Sequence, residues 1–119
     1  MEIYREQLLD HYKNPRHYGL VEKPTHQSFE ENISCGDEIS LSLVVEDGTV
    51  VKVGFEGQAC VIAKASASLL SEKILGMVVE EVKRLSKEDV LGLLGIEPTP
   101  SRLKCALLPL EALRSSLHS

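Results

Sequence analysis

Positive charge is in short supply in this sequence, and what there is lies scattered. The 119 residues carry 13 Lys and Arg against 18 Asp and Glu, for a formal net charge of −5. A nucleic-acid surface needs a massed basic face to neutralise phosphates, and an anionic membrane attracts a polybasic cluster. Neither is present, so no nucleic-acid or membrane partner is expected. No stretch approaches the roughly 20 apolar residues needed to span a bilayer. The opening MEIYREQLL puts charges where an export signal would put an apolar run. A cytoplasmic location is the expectation. Cysteine is sparse as well: three residues, an odd number, with no Cys-x-x-Cys pair. An extracellular disulfide framework usually shows an even count.

What remains is an ordinary globular composition, 43% hydrophobic and 26% charged, without low-complexity tracts. That length suits one domain, 1–119, built around one core. Ile3, Tyr4, Leu8, Leu9 and Tyr12 share a helical face, and Asn14-Pro15 stops that helix. Phe29 and Ile33 sit at even spacing in a first strand. Ile39, Leu41, Leu43 and Val45 alternate in a second, and Val51, Val53 and Phe55 line one face of a third. Asp47-Gly48 is a hairpin turn signal between the last two. The rest reads as helix. An Ala/Ser-rich helix runs from about Cys60 to Leu75, and a short one surrounds Val78, Val79 and Val82. Ser86 to Asp89 forms a capping box before a helix closed by Gly95. A last helix carries Leu110, Leu113 and Leu117. The fold class is α+β, a small three-stranded antiparallel sheet with helices packed on it.

On this map the cysteines fall at element ends. Cys35 and Asp37 lie in the connection between the first two strands, with Gly36 allowing a sharp turn. Cys60 opens the Ala/Ser-rich helix. Pro109 is tolerated only in a first helical turn, so the last helix is expected to begin near Cys105. Unpaired N–H groups at two helix starts favour thiolates, and Lys104 adds positive charge beside Cys105. Cys35, Asp37, Cys60 and Cys105 are four ligands of a kind that suits zinc or an iron–sulfur cluster. Taken singly, a cysteine in such a domain is usually a small buried hydrophobe, and Cys-Gly-Asp alone is no signal. The histidines, His11, His17, His26 and His118, have no zinc-ligand spacing. His11 is expected to be a partly exposed helix residue, and His118 lies in a terminal turn.

Four ordered blocks resemble the U-type iron–sulfur cluster assembly scaffolds, the IscU, SufU and NifU N-terminal group. They are Tyr4-Arg5 with Asp10 to Arg16 and Gly19; Asn32 to Asp37; Phe55 to Cys60 with Ile62 and Ala65 to Ser68; and Arg102 to Ala106 with Leu108, Ala112 and Leu113. The resemblance implies the SufE/NifU-like version of the fold above. It implies Cys35, Cys60 and Cys105 as cluster or zinc ligands, and Asp37 as a fourth ligand or a control on cluster release. It also implies a cysteine desulfurase as partner, delivering sulfur as a persulfide that a thiolate takes over. Cys105 is the first choice of acceptor, for its helix-start and lysine setting, and Cys35 is the competitor. Apo iron–sulfur proteins or carriers would receive the product.

The chain departs from the resemblance in ways that divide the readings. Lys104 stands where the IscU branch has histidine, a feature shared with SufU, which is associated with zinc and sulfur transfer. Yet only 44 residues separate Cys60 from Cys105, a spacing like that of the IscU branch. Pro98 to Arg102 replaces the Leu-Pro-Pro-Val-Lys docking motif, which argues against dependence on a dedicated chaperone. Ile33 and Ala59 replace the usual proline and glycine. The leading expectation is a scaffold for a transient [2Fe–2S] cluster, more a carrier than an enzyme. The alternative is a persulfide acceptor, a sulfurtransferase with zinc at rest; a purely structural zinc is the third.

Overall fold

The structure, a computed structural model, describes residues 2–34 and 36–117, with side chains described from Arg5 onward. Cys35 and His118 lie outside the described residues, as do the side chains of Ile3 and Tyr4. The elements are α1 (Glu2–Lys13), β1 (His26–Asn32), β2 (Asp37–Glu46), β3 (Thr49–Glu56), α2 (Val61–Ile74), α3 (Val79–Val82), α4 (Lys87–Leu94) and α5 (Pro100–Leu117). The strands form an antiparallel sheet in the order β1-β2-β3. This is the expected α+β architecture. Among the described residues no helix is long and apolar enough to cross a membrane.

Alternation puts Ile39, Leu41 and Leu43 of central β2 into the core, with Val53 and Phe55 of β3. Helices α2 and α5 cover that face, and α1 and α4 pack outside them. Small residues let α2 approach closely. Ala63, Ala65, Ala67, Ser66, Ser68 and Ser71 are all buried, and the Ser66 hydroxyl donates to the Ala106 carbonyl of α5 at 2.7 Å. The outer edge of β3 is paired as well. Gly19 N–H donates to the Phe55 carbonyl at 2.7 Å, and Phe55 N–H donates to the His17 carbonyl at 3.1 Å. Such covering removes an open sheet edge. It also requires Gly54, where a Cβ would overlap the Gly19 carbonyl oxygen.

Several expectations are corrected by the structure. Phe29 and Ile33 point outward, 54% and 86% exposed. The inward face of β1 is polar instead: the Ser28 hydroxyl donates to the Ala112 carbonyl of α5 at 2.5 Å, and Ser115 donates to Glu30. On β3 a bulge between the pairs Val44↔Lys52 and Val45↔Val50 leaves Val51 unmatched. A bulge shifts the alternation by one residue, so Val50 is buried and Val51 is exposed.

On α1 the buried residues are Leu8 and His11, while Leu9 and Tyr12 are partly exposed. His11 is therefore not the partly exposed residue expected. Its Nδ1 meets the Ser68 hydroxyl at 2.7 Å, and that same oxygen accepts Arg16 N–H at 2.8 Å. Burial holds the His11 pKa below its ordinary value and the Arg16 charge adds to this, against the opposing pull of Glu72 and Asp10.

The last helix differs most. It begins at Pro100, with Thr99 accepting the first helical bonds from Arg102 and Leu103. Proline suits that first position. Pro109 sits inside the helix, and Cys105 lies in the second turn rather than at the start.

Candidate metal and sulfur site

Asp37 is the first residue of β2, paired across the sheet with Asn32, rather than part of the loop before it. Its side chain is buried, at 4% exposure. Oδ1 accepts the Cys60 N–H at 3.0 Å. Glu38 N–H in turn donates to the Gln58 carbonyl at 2.8 Å. Residues 57–60 are thus clipped to the start of β2 at two points. The approach is close enough that a Cβ on Gly57 would overlap the Glu38 carbonyl oxygen, and its φ of +146° is one that side-chain-bearing residues avoid.

Cys60 is the N-cap of α2, as expected. Its backbone is extended, at φ −67° and ψ 172°, and its sulfur accepts Ala63 N–H at 3.5 Å. The side chain is half-buried. Cys105 comes from α5 and is wholly buried. The Ser66 to Ala106 hydrogen bond fixes the neighbouring turn against α2. One oxygen of Asp37 and the sulfurs of Cys60 and Cys105 all lie within 4.8 Å of one another. Three of the four expected ligands therefore converge from three separate parts of the chain. The fourth, Cys35, lies outside the described residues.

The donor set fits a metal on an observation of its own. The second carboxylate oxygen of Asp37, Oδ2, is buried with no hydrogen-bond partner among the described residues. A buried polar atom without a partner costs about 1–3 kcal/mol, more when charged. A cation at the cluster would offset that cost, and carboxylate with thiolates suits zinc or iron.

The setting expected for Cys105 is not there. The α5 N-terminus is more than a turn away, so unpaired amides do not surround this thiol. Lys104 is exposed and lines an open groove with Asn32, Ile33 and Leu108, while its neighbour Cys105 points into the core. Pro109 has the opposite meaning to the one expected: it removes the amide that would bond the Cys105 carbonyl in a regular helix. Of the two described thiols, Cys60 is the one with exposed surface. The reading by residue type also missed the Gly57 and Gln58 contributions, which come from backbone and carry no side-chain signal beyond the glycine itself.

Fold and site together describe a small sheet-and-helix module that gathers cysteine thiols and a buried carboxylate at one end. Residues 3–119 match the model of the NifU-like N-terminal domain family, and the chain belongs to that family. It is 37% identical to the iron–sulfur cluster assembly scaffold protein IscU of Thermotoga maritima, over 97% of this chain and 92% of that one. It is 32% identical to the zinc-dependent sulfurtransferase SufU of Bacillus subtilis, over 97% and 89%. Both alignments, at 131 and 132 positions, are longer than this 119-residue chain, so both relatives carry residues it lacks. Among solved structures it is similar to a candidate SUF-system cluster assembly scaffold from Fervidobacterium islandicum. The TM-score is 0.81 at 27% identity, over 98% of this chain and 97% of that one.

Proposed function

We propose that residues 1–119 form a single iron–sulfur cluster assembly scaffold domain, working in the cytoplasm. It receives sulfur from a cysteine desulfurase, combines it with iron as a [2Fe–2S] cargo, and passes the cluster to apo iron–sulfur proteins or carriers. The observation that carries this reading is the convergence of Asp37, Cys60 and Cys105 within 4.8 Å of one another, with a second Asp37 oxygen buried and without a partner among the described residues. Cys35, Asp37, Cys60 and Cys105 are the proposed ligands. Sulfur enters when a thiolate attacks the outer sulfur of a donor persulfide and the donor thiolate leaves. Cys35 and Cys105 remain the proposed acceptors in the scaffold. The complete burial of Cys105 means that its turn of α5 must open before it meets a partner.

A second reading, a zinc-dependent sulfurtransferase, is favoured by Lys104, which cannot serve as the histidine ligand of the IscU branch. In that reading Asp37, Cys60 and Cys105, with Cys35, hold zinc at rest. Bound zinc would keep the thiolates deprotonated. Lys104, exposed at the groove beside residues 32–33, would serve at the surface where a donor docks.

Anaerobic incubation with a desulfurase, cysteine and ferrous iron decides between them. The scaffold reading expects visible charge-transfer absorption that Cys60→Ser abolishes. A colourless product carrying about one zinc per chain and one added sulfur by mass spectrometry would establish the second reading in its place.

A further inference from the structure

One cation of this molecule is held between two aromatic rings. Lys64 lies one turn into α2, and its N–H donates to the Cys60 carbonyl at 2.9 Å. Its ammonium lies 5.7 Å from the centre of the Tyr12 ring and 5.0 Å from that of Tyr18. Among the described residues no carboxylate lies within ion-pair distance of it; the pairs present use His11, Arg16 and Lys83. Two aromatic faces therefore hold the charge in place without neutralising it, through contacts worth about 0.5–1 kcal/mol each at exposed sites.

The rings are themselves anchored. Tyr18 packs edge-on against Phe55 at 5.4 Å and 82°, in the segment bonded along the outer edge of β3. Tyr12 follows His11, whose bond to Ser68 docks α1 on α2. Both rings are partly exposed, so the caged charge faces solvent. Long helical side chains lean back toward the helix N-terminus, which here is Cys60, the described thiol with exposed surface.

We infer that Lys64, fixed between Tyr12 and Tyr18, is a positioning residue that draws an anionic sulfur donor, a protein-borne persulfide, onto Cys60. The inference rests on the sulfur-receiving role proposed above and adds an entry point to it. In the step, the donor arrives as R–S–S⁻ and takes the proton of the Cys60 thiol onto its outer sulfur, and the Cys60 thiolate so formed attacks that sulfur. A bond forms between Cys60 Sγ and that sulfur, the donor S–S bond breaks, and the electron pair leaves as R–S⁻. The proton stays on the transferred sulfur, and no oxidant is needed. The donor leaves as an anion and, since a persulfide is a stronger acid than a thiol, largely arrives as one. The chain as a whole, at −5, repels both. A fixed local cation reverses that repulsion where it matters.

The same bond exchange can be run without a protein partner. Ellman's reagent is a dianionic disulfide and 4,4′-dithiodipyridine is a neutral one, and modification at Cys60 is resolved by mass spectrometry. At low salt, Lys64→Gln is expected to slow the dianion by about threefold or more while changing the neutral reagent by less than about 1.5-fold. Lys64→Arg should restore the rate, and about 0.5 M salt should erase the difference. Equal slowing of both reagents, no slowing of either, or an arginine variant no better than glutamine would overturn the inference. Wild-type protein that shows neither charge-transfer absorption nor an added sulfur after incubation with the desulfurase, cysteine and ferrous iron defeats the proposed function instead, and the reagent contrast still decides the role of Lys64.

Discussion

A single buried histidine ties α1 to the rest of the molecule, and it does so in its neutral form. The Ser68 hydroxyl oxygen accepts Arg16 N–H and meets His11 Nδ1 at 2.7 Å, so one side chain of α2 holds both α1 and the turn after it. Burial, with Arg16 nearby, lowers the histidine's pKa from its ordinary 6.5. In the unfolded chain the ring takes up a proton near 6.5, whereas in the folded chain it does so only at lower pH. The stability contributed by this shift is therefore present in full above about 6.5. It is lost as pH falls from there through the folded value. Denaturant midpoints measured from pH 7.5 to 5 should fall with acid in the wild type and fall less in His11→Gln. Parallel curves would show that the ring's titration has no part in the loss. Nothing in the residue pattern pointed to this role, because the neighbouring Leu9 and Tyr12 are the more apolar choices for a buried face. It was the geometry of Ser68 and Arg16 that selected His11.

Among the elements, the loop between β3 and α2 carries the tightest constraint. Gly57→Ala places a methyl group on the Glu38 carbonyl oxygen and strains a φ of +146°. A loss of about 3 kcal/mol or more is expected, with zinc binding lost because Cys60 and Asp37 are clipped through this loop. Urea unfolding and zinc titration check both. Gly92→Ala is the control: nothing lies within 4 Å of the added methyl group, and it sits inside α4. There a gain of up to about 1 kcal/mol is expected.

The same elements show what could be read in advance. Hairpin, capping box and the Cys60 helix start are written in local residue chemistry, and each stands where the sequence puts it. Strand β1 and helix α5 are not local in this sense. Ser28 and Glu30 face inward because α5 offers a carbonyl and a hydroxyl to them, and Phe29 is turned out as a result. Pro109 reads as a helix start by the usual rule, but packing on the sheet and α2 sustains the helix through it. Asp37, Cys60 and Cys105 were legible as a set through their places at element ends and, more sharply, through the order of their motifs along the chain. That Cys105 is buried, and Lys104 is not, depends on which way α5 is turned.

At the scale of the whole molecule, the site joins positions 37, 60 and 105, which the chain brings together only when sheet, α2 and α5 are all in place. An ion shared by these groups binds the folded chain far better than the unfolded one, so loading and folding are linked. At a free concentration 100 times its dissociation constant, the ion adds about 2.7 kcal/mol, or roughly 10 °C in melting temperature for a domain of this length. Calorimetry with zinc and with a chelator should show that difference, and a melting temperature indifferent to both would separate the site from the fold. Such linkage would also make chains that have not been filled recognisable in the cell. An empty chain opens more often and offers its backbone to proteases, so limited proteolysis should cut chelated protein faster than zinc-loaded protein. Degradation would then act as inventory control, sparing the copies that carry metal.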